Sequence, residues 1–226
     1  MSLKKKILVI APHPDDEVLG VGGTLLKKKK EKWITGCVIL TTHSSKNKSG
    51  KKKILLQRKE IDNSNKILRI SKSFVLDFPP SRLDQVPFAK IVSELSNIFN
   101  IFKPEEIYLP HSGDSHTDHA IALKAALSCC KWFRNKYVKK IYCYETLSET
   151  NMPKKNNIDK IFKPTAFVDI TKFIKNKIQS LNAYKSQVGK FPFPRSKDAV
   201  ISLAKYRGTY CGFKYAEAFE LIFSKD

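Results

Sequence analysis

Short apolar runs alternate along this chain with longer stretches in which apolar residues recur every three or four positions. Ile7-Leu8-Val9-Ile10-Ala11 is one such run, and similar ones lie in 33–42, 73–77, 105–110, 139–144, 165–169 and 215–223. Each is too short for a helix core and reads as a strand. The stretches between them, 18–30, 51–69, 87–102, 120–127, 172–185 and 197–205, carry helical spacing, as Ile54, Leu55, Ile61, Ile67 and Leu68 illustrate. Strands alternating with helices predict an α/β fold: a three-layer, Rossmann-like sandwich around a mostly parallel central sheet. At 226 residues the chain fits one domain covering 1–226.

Two of these strands end at proline and run straight into polar clusters. After Ala11 comes Pro12-His13-Pro14-Asp15-Asp16-Glu17. The prolines forbid helix there, so the cluster sits at the C-terminal end of a strand, where open α/β sheets place their ligand crevice. His13 and Asp16 offer a nitrogen and an oxygen ligand three residues apart on a stiff turn, which suits a zinc-type site completed from elsewhere. The same acidic residues would also complement the dipole of the following helix. After Pro110 comes His111-Ser112-Gly113-Asp114-Ser115-His116-Thr117-Asp118-His119, which holds three of the five histidines. His116 and His119 face the same side if a helix starts there.

Composition narrows the field. The net charge is +21, with arginine scarce beside lysine and the lysines scattered. The lysine clusters are not gathered in one tract, so no specific nucleic acid is expected; a field of this sign would draw in an anionic substrate, such as a nucleotide-linked sugar. A basic binding protein on the same fold is the competing class. No run approaches the ~20 apolar residues of a membrane span. The first apolar run meets Pro12 too soon for a signal peptide, so a cytoplasmic location is expected. The five cysteines form no Cys-x-x-Cys pair and read as reduced, mostly buried thiols. Gly20, Gly22 and Gly23 allow the next helix to pack closely on the sheet but do not form a dinucleotide fingerprint.

Ala11-Pro12-His13-Pro14-Asp15-Asp16-Glu17, followed by His116-Thr117-Asp118-His119, resembles the two signature motifs of the LmbE/PIG-L family of zinc-dependent de-N-acetylases. Tyr184-Lys185-Ser186-Gln187, Leu203 to Gly208 and Tyr215 to Phe219 resemble C-terminal motifs of a bacterial branch, so the similarity runs from about Lys4 to Phe223. The resemblance implies an LmbE-like fold and Zn²⁺ (Fe²⁺ as the alternative) held by His13, Asp16 and His119. It implies Asp15 as general base for the attacking water, and His116 as an imidazolium that stabilises the oxyanion and can protonate the leaving nitrogen. Asp118 is expected to orient a histidine, and Arg58, near the start of the second helix, to clamp the substrate. The implied substrate is an N-acetylated amino sugar, as a sugar nucleotide, glycan precursor or glycoconjugate; another small amide shares the same chemistry, and homo-oligomer formation stays open. Glu17 and Asp114 are expected to brace loops. His43 and Arg82 are weaker candidates for the site, and 145–157 is a candidate lid.

Overall fold

The computed structural model describes residues 4–43, 48–150, 152 and 161–226. Residues 44–47 of the loop after the second strand, and most of the expected lid beyond 150, lie outside this set. Seven strands form one sheet: β1 (Lys6–Ala11), β2 (Ile34–Thr41), β3 (Lys72–Phe78), β4 (Glu106–Pro110), β5 (Lys140–Tyr144), β6 (Ala166–Asp169) and β7 (Ala216–Ser224). The helices are α1 (Asp16–Lys30), α2 (Lys48–Leu68), α3 (Phe88–Phe102), α4 (Thr117–Cys129), α5 (Ile174–Leu181) and α6 (Lys197–Thr209). The spatial order is β3-β2-β1-β4-β5-β7-β6. The first five strands in that order pair in parallel, and β7 runs antiparallel to both β5 and β6. The sheet is therefore mostly parallel, as expected.

Both faces are covered, which is why the central strands read as unbroken apolar runs. Leu8, Ile10, Val38, Leu40, Ile107 and Leu109 pack with Ile91, Leu95 and Phe99 of α3 and with α4. The alternate residues Ile7, Val9, Cys37 and Ile39 pack on the other face with Val21 and Leu25 of α1, Ile61 of α2 and Ile178 of α5. The close fit of α1 depends on glycine. A Cβ on Gly20 would lie 2.2 Å from Cδ2 of Tyr144, whose hydroxyl donates to the Ile10 carbonyl at 2.9 Å. Lys177 and Glu217 form a buried ion pair at 2.6 Å. Glu217 also accepts from the Gly23 and Thr24 amides, and Lys177 donates to the Leu19 carbonyl. This pair ties the middle of α1 to α5 and β7.

The order of strands places the site. Chain direction across the sheet reverses between β1 and β4, which lie side by side. At such a switch point the loops leaving two parallel strands diverge and open a crevice at their C-terminal ends. The loop after β1 carries His13 to Asp16, and the loop after β4 carries His111 to His119. No helix among the described residues is long and apolar enough to cross a membrane.

Candidate metal centre

The β1 loop is folded by its own polar groups. The Asp16 carboxylate accepts the His13 amide at 2.8 Å, and Glu17 accepts the Asp15 amide at 3.1 Å. The Asp15 carbonyl starts α1 by accepting from Val18 and Leu19 at 3.0 and 2.9 Å. Asp15 itself sits at φ 108°, in the left-handed region that non-glycine residues seldom occupy. Such a conformation costs roughly 1–3 kcal/mol and persists only where the surroundings fix it. Here it leaves the buried Asp15 carboxylate directed into the crevice, with Oδ2 accepting no hydrogen bond from any described residue.

His13, Asp16 and His119 come together across the two loops. His13 Nδ1 is 3.4 Å and His119 Nε2 is 3.3 Å from the same oxygen, Asp16 Oδ2. Donors around a four-coordinate zinc at ~2.0–2.2 Å stand roughly 3.3–3.5 Å apart, so the spacing fits such an ion. Each histidine is oriented from behind by a carboxylate. His119 Nδ1 lies 2.6 Å from Asp114, and His13 Nε2 lies 3.0 Å from Asp118. A proton on each of those nitrogens leaves the other one of each ring free as a ligand. Consistent with this, buried His119 Nε2 makes no hydrogen bond with any described residue.

Charge tells the same story. Burial works against protonating His13 and His119, but hydrogen-bonded Asp118 and Asp16 lift the first to about 9, and Asp16 with Asp114 lifts the second to about 10. Burial also opposes ionisation of Asp16, yet His119 and His13 hold it far below the usual carboxylate range. Both rings thus favour positive charge beside this carboxylate, and a divalent cation would supply the same charge.

His13, His116 and Asp118 form a second cluster of similar compactness. It is less suited to a cation, because the carboxylate is already engaged. Asp118 Oδ2 accepts the Ser81 amide at 2.7 Å and Oδ1 accepts the Leu83 amide at 3.0 Å. Asp118 thus pins the β3–α3 loop as well as His13. Asp114 proves to be the carboxylate behind His119. Glu17 braces the fold as expected, accepting from Tyr184 at 2.6 Å and Ser64 at 3.2 Å; burial raises it to about 7.

His116 departs from expectation. Burial, followed by neighbouring His13, lowers its pKa rather than raising it. Its Nδ1 accepts the Asp118 amide at 3.1 Å and caps α4, while Nε2 points toward Ser81 at 3.3 Å. Asp118 and Glu149 act on its pKa in the opposite direction but do not outweigh burial and His13. His111 turns away altogether: it is buried and lies 3.2 Å from Glu220.

The crevice above these groups has a volume of about 190 Å³. Arg58 does not line it; the guanidinium pairs with Asp77 on the outside. Its neighbour Gln57 lines the crevice instead and accepts the His43 amide at 2.9 Å, and exposed His43 stands at the rim. Pro80 reaches the crevice from the β3–α3 loop, while exposed Arg82 does not. Glu149, from the loop after β5, lines it and accepts from Ser115. Gln187 and Arg195, which periodicity left in an aperiodic spacer, complete the wall. A larger groove of about 640 Å³ between α5 and α6, floored by Ile174, Ile178 and Ile201, has no histidine or carboxylate in its lining.

The model of one protein family, PIG-L, described as GlcNAc-PI de-N-acetylase, matches residues 8–130, more than half of the chain and both polar loops. Diacetylchitobiose deacetylase of Thermococcus kodakarensis is 26% identical over 96% of this chain and 83% of its own. The crystal structure of the conserved protein TT1542 from Thermus thermophilus is 28% identical, with a TM-score of 0.77, covering 97% of this chain and 96% of that one. N,N'-diacetylchitobiose deacetylase from Pyrococcus horikoshii, at 23% identity and a TM-score of 0.76 over 96% of this chain and 84% of that one, shares the fold. On its matched motifs and its architecture, the chain belongs to the PIG-L (LmbE-like) family.

Proposed function

We propose that this protein is a metal-dependent hydrolase that removes the acetyl group from an N-acetylated amino sugar. The observation that carries the reading is the convergence of His13 Nδ1, His119 Nε2 and Asp16 Oδ2 at 3.3–3.4 Å, beside a buried carboxylate with an unused oxygen. His13, Asp16 and His119 would hold Zn²⁺; the same two-imidazole, one-carboxylate set also accepts Fe²⁺. A bound divalent ion lowers the pKa of water toward neutrality and polarises a carbonyl.

The chain's own groups do the rest. Asp15 takes the proton of the attacking water. Burial, followed by the charge of Asp16, raises its pKa, which makes it a stronger base than an ordinary aspartate. The water oxygen bonds to the acetyl carbon, the C–N bond breaks, and the proton held by Asp15 passes to the departing nitrogen. His116, neutral with Nε2–H, donates to the oxyanion as it forms. Asp114 and Asp118 keep the two ligand rings in the required tautomers. The crevice is smaller than the ~300–1,000 Å³ of most small-molecule sites, so it encloses the acetamido end of the substrate and leaves the remainder at the mouth. The deacetylase names of the relatives support an acetyl group on a sugar nitrogen.

The test is acetate release by the zinc-loaded protein from N-acetylglucosamine and N,N'-diacetylchitobiose. Asp15→Asn is expected to keep its metal and lose ~10²-fold or more of kcat, the contribution of a lost general base. Full activity in that variant would falsify the base assignment, and no acetate from either sugar would remove the reading.

A further inference from the structure

Two arginines with contrasting surroundings flank α6. Arg207 is nearly buried and engages Glu145 with two hydrogen bonds, 2.8 and 2.6 Å, the forked pairing of a structural guanidinium. Arg195 is at least as deliberately placed but has no such partner. Ser196 caps α6 by accepting the Ala199 amide at 3.2 Å, and its own amide donates to the Phe193 carbonyl at 2.9 Å. Phe193 packs over Gly189, where a Cβ would stand 2.6 Å from the ring, and the ring lies 5.4 Å from the guanidinium carbon of Arg195. On the preceding turn, buried Glu60 accepts from the Ser186 amide and hydroxyl at 3.0 and 2.7 Å. That sets Gln187 against the same crevice.

The guanidinium held this way is underused. Its nearest carboxylate, Asp15, is 3.7 Å away, beyond hydrogen-bond distance. Its buried Nε donates to no described residue. Of its five N–H donors, the one on buried Nε lacks an acceptor, which is costly unless something else supplies one.

The wall also limits what that partner is. Among the described residues three carboxylates, Asp15, Asp16 and Glu149, line the crevice with one guanidinium, and with a divalent ion on Asp16 these charges sum to zero. An anionic substituent would meet no surplus of cation there, whatever the net charge of +21 does at longer range. Neutral hydroxyl and carbonyl oxygens suit the arginine, and the amides of Gln57 and Gln187 suit hydroxyls.

We infer that Arg195 is a positioning residue for substrate, its guanidinium donating to oxygens of a neutral N-acetylated sugar beside the reacting acetamido group, with Gln187 next to it. This rests on the deacetylase reading given above. It is tested by Arg195→Ala and Arg195→Lys, each made in the wild type for kinetics and in the Asp15→Asn protein for binding of N-acetylglucosamine, followed by NMR of its acetyl methyl group. Both variants are expected to weaken binding and raise KM about 10- to 100-fold, the range of a lost charge-assisted hydrogen bond. The effect on kcat should be smaller, and metal content and Tm unchanged. Lysine fails to rescue because it cannot fork. N-acetylmuramic acid, which carries a carboxylate, is expected to have the higher KM in the wild type. Unaltered binding and KM in Arg195→Ala, or a preference for the anionic sugar, overturns the inference. If no sugar releases acetate, the deacetylase reading falls, and the binding measurement still decides: loss of sugar binding in Arg195→Ala keeps the role, and no binding by the Asp15→Asn parent ends it.

Discussion

Asp114→Ala isolates what a carboxylate behind a ligand histidine does for a metal site. Asp114 is fully buried, and its Oδ2 lies 2.6 Å from His119 Nδ1. Removing it has two separable effects. Without metal, the imidazole loses the acceptor for its Nδ1–H in a buried setting, which costs about 1–3 kcal/mol. For a chain of this size that lowers Tm by about 2–4 °C per kcal/mol. With metal, the ring is free to rotate or to place its proton on Nε2, the nitrogen that faces Asp16 at 3.3 Å. Loss of such an outer partner typically costs 10–100-fold in metal affinity, or roughly 1.4–2.7 kcal/mol. Asp114→Asn should fall between the two, because its amide oxygen still accepts the hydrogen bond but carries no charge. The assay is competition for Zn²⁺ against a chromophoric chelator, with thermal unfolding of the metal-free proteins run alongside. Wild-type affinity in Asp114→Ala would show that His119 is not positioned by this contact.

Two further outcomes follow from the geometry. His13 and His119 hold their protons up to about 9 and about 10 in the folded metal-free chain, against an ordinary 6.5. Their raised values stabilise the fold fully below about pH 6.5, and that contribution is lost as the pH climbs through 9 to 10. Chelator-treated protein should therefore lose Tm between about pH 6.5 and 9.5 more steeply than zinc-loaded protein, in which neither ring carries the extra proton; matching profiles in a calorimeter would contradict the pairing. Separately, Gly20→Ala drives a methyl to within 2.2 Å of the Tyr144 ring and should destabilise by about 1–3 kcal/mol, measured by urea denaturation. An unchanged midpoint would mean that α1 can move off the sheet at no cost.

The parts of this molecule that the sequence made legible are those fixed by short-range chemistry. His13 and Asp16 are three positions apart on a proline-stiffened turn, and His119 lies in the first turn of the helix after the loop that leaves β4, so their place at two strand ends can be read from the sequence. That β1 and β4 are neighbours is what brings them together, and strand–helix alternation by itself leaves that order open. Arg58 shows where periodicity stops being enough. Adjacent helix positions point about 100° apart, so a helix that is correctly recognised still leaves open which of Gln57 and Arg58 meets the crevice. The helix expected over 172–185 ends at Leu181. Tyr184, which helical spacing would have continued, turns in to donate to Glu17, 167 positions earlier in the chain. Arg195 was illegible for the same kind of reason: its setting depends on Gly189, Phe193 and the cap of α6, contacts that no local period encodes. The role of Asp114 over Asp118 in holding His119 is likewise a matter of rotamers, because both aspartates lie within five positions of that histidine.

The buried Lys177–Glu217 pair has a consequence for how the molecule is made. Gly23 and its acceptor on β7 are 194 positions apart. At translation speeds of 5–20 residues per second, the carboxylate leaves the ribosome roughly 10 to 40 s after the amide it serves. Both histidine loops are thus synthesised well before the strand that locks their supporting helix in place. A nascent chain holds His13, Asp16 and His119 while still lacking the anchor that fixes the first of those loops on the sheet.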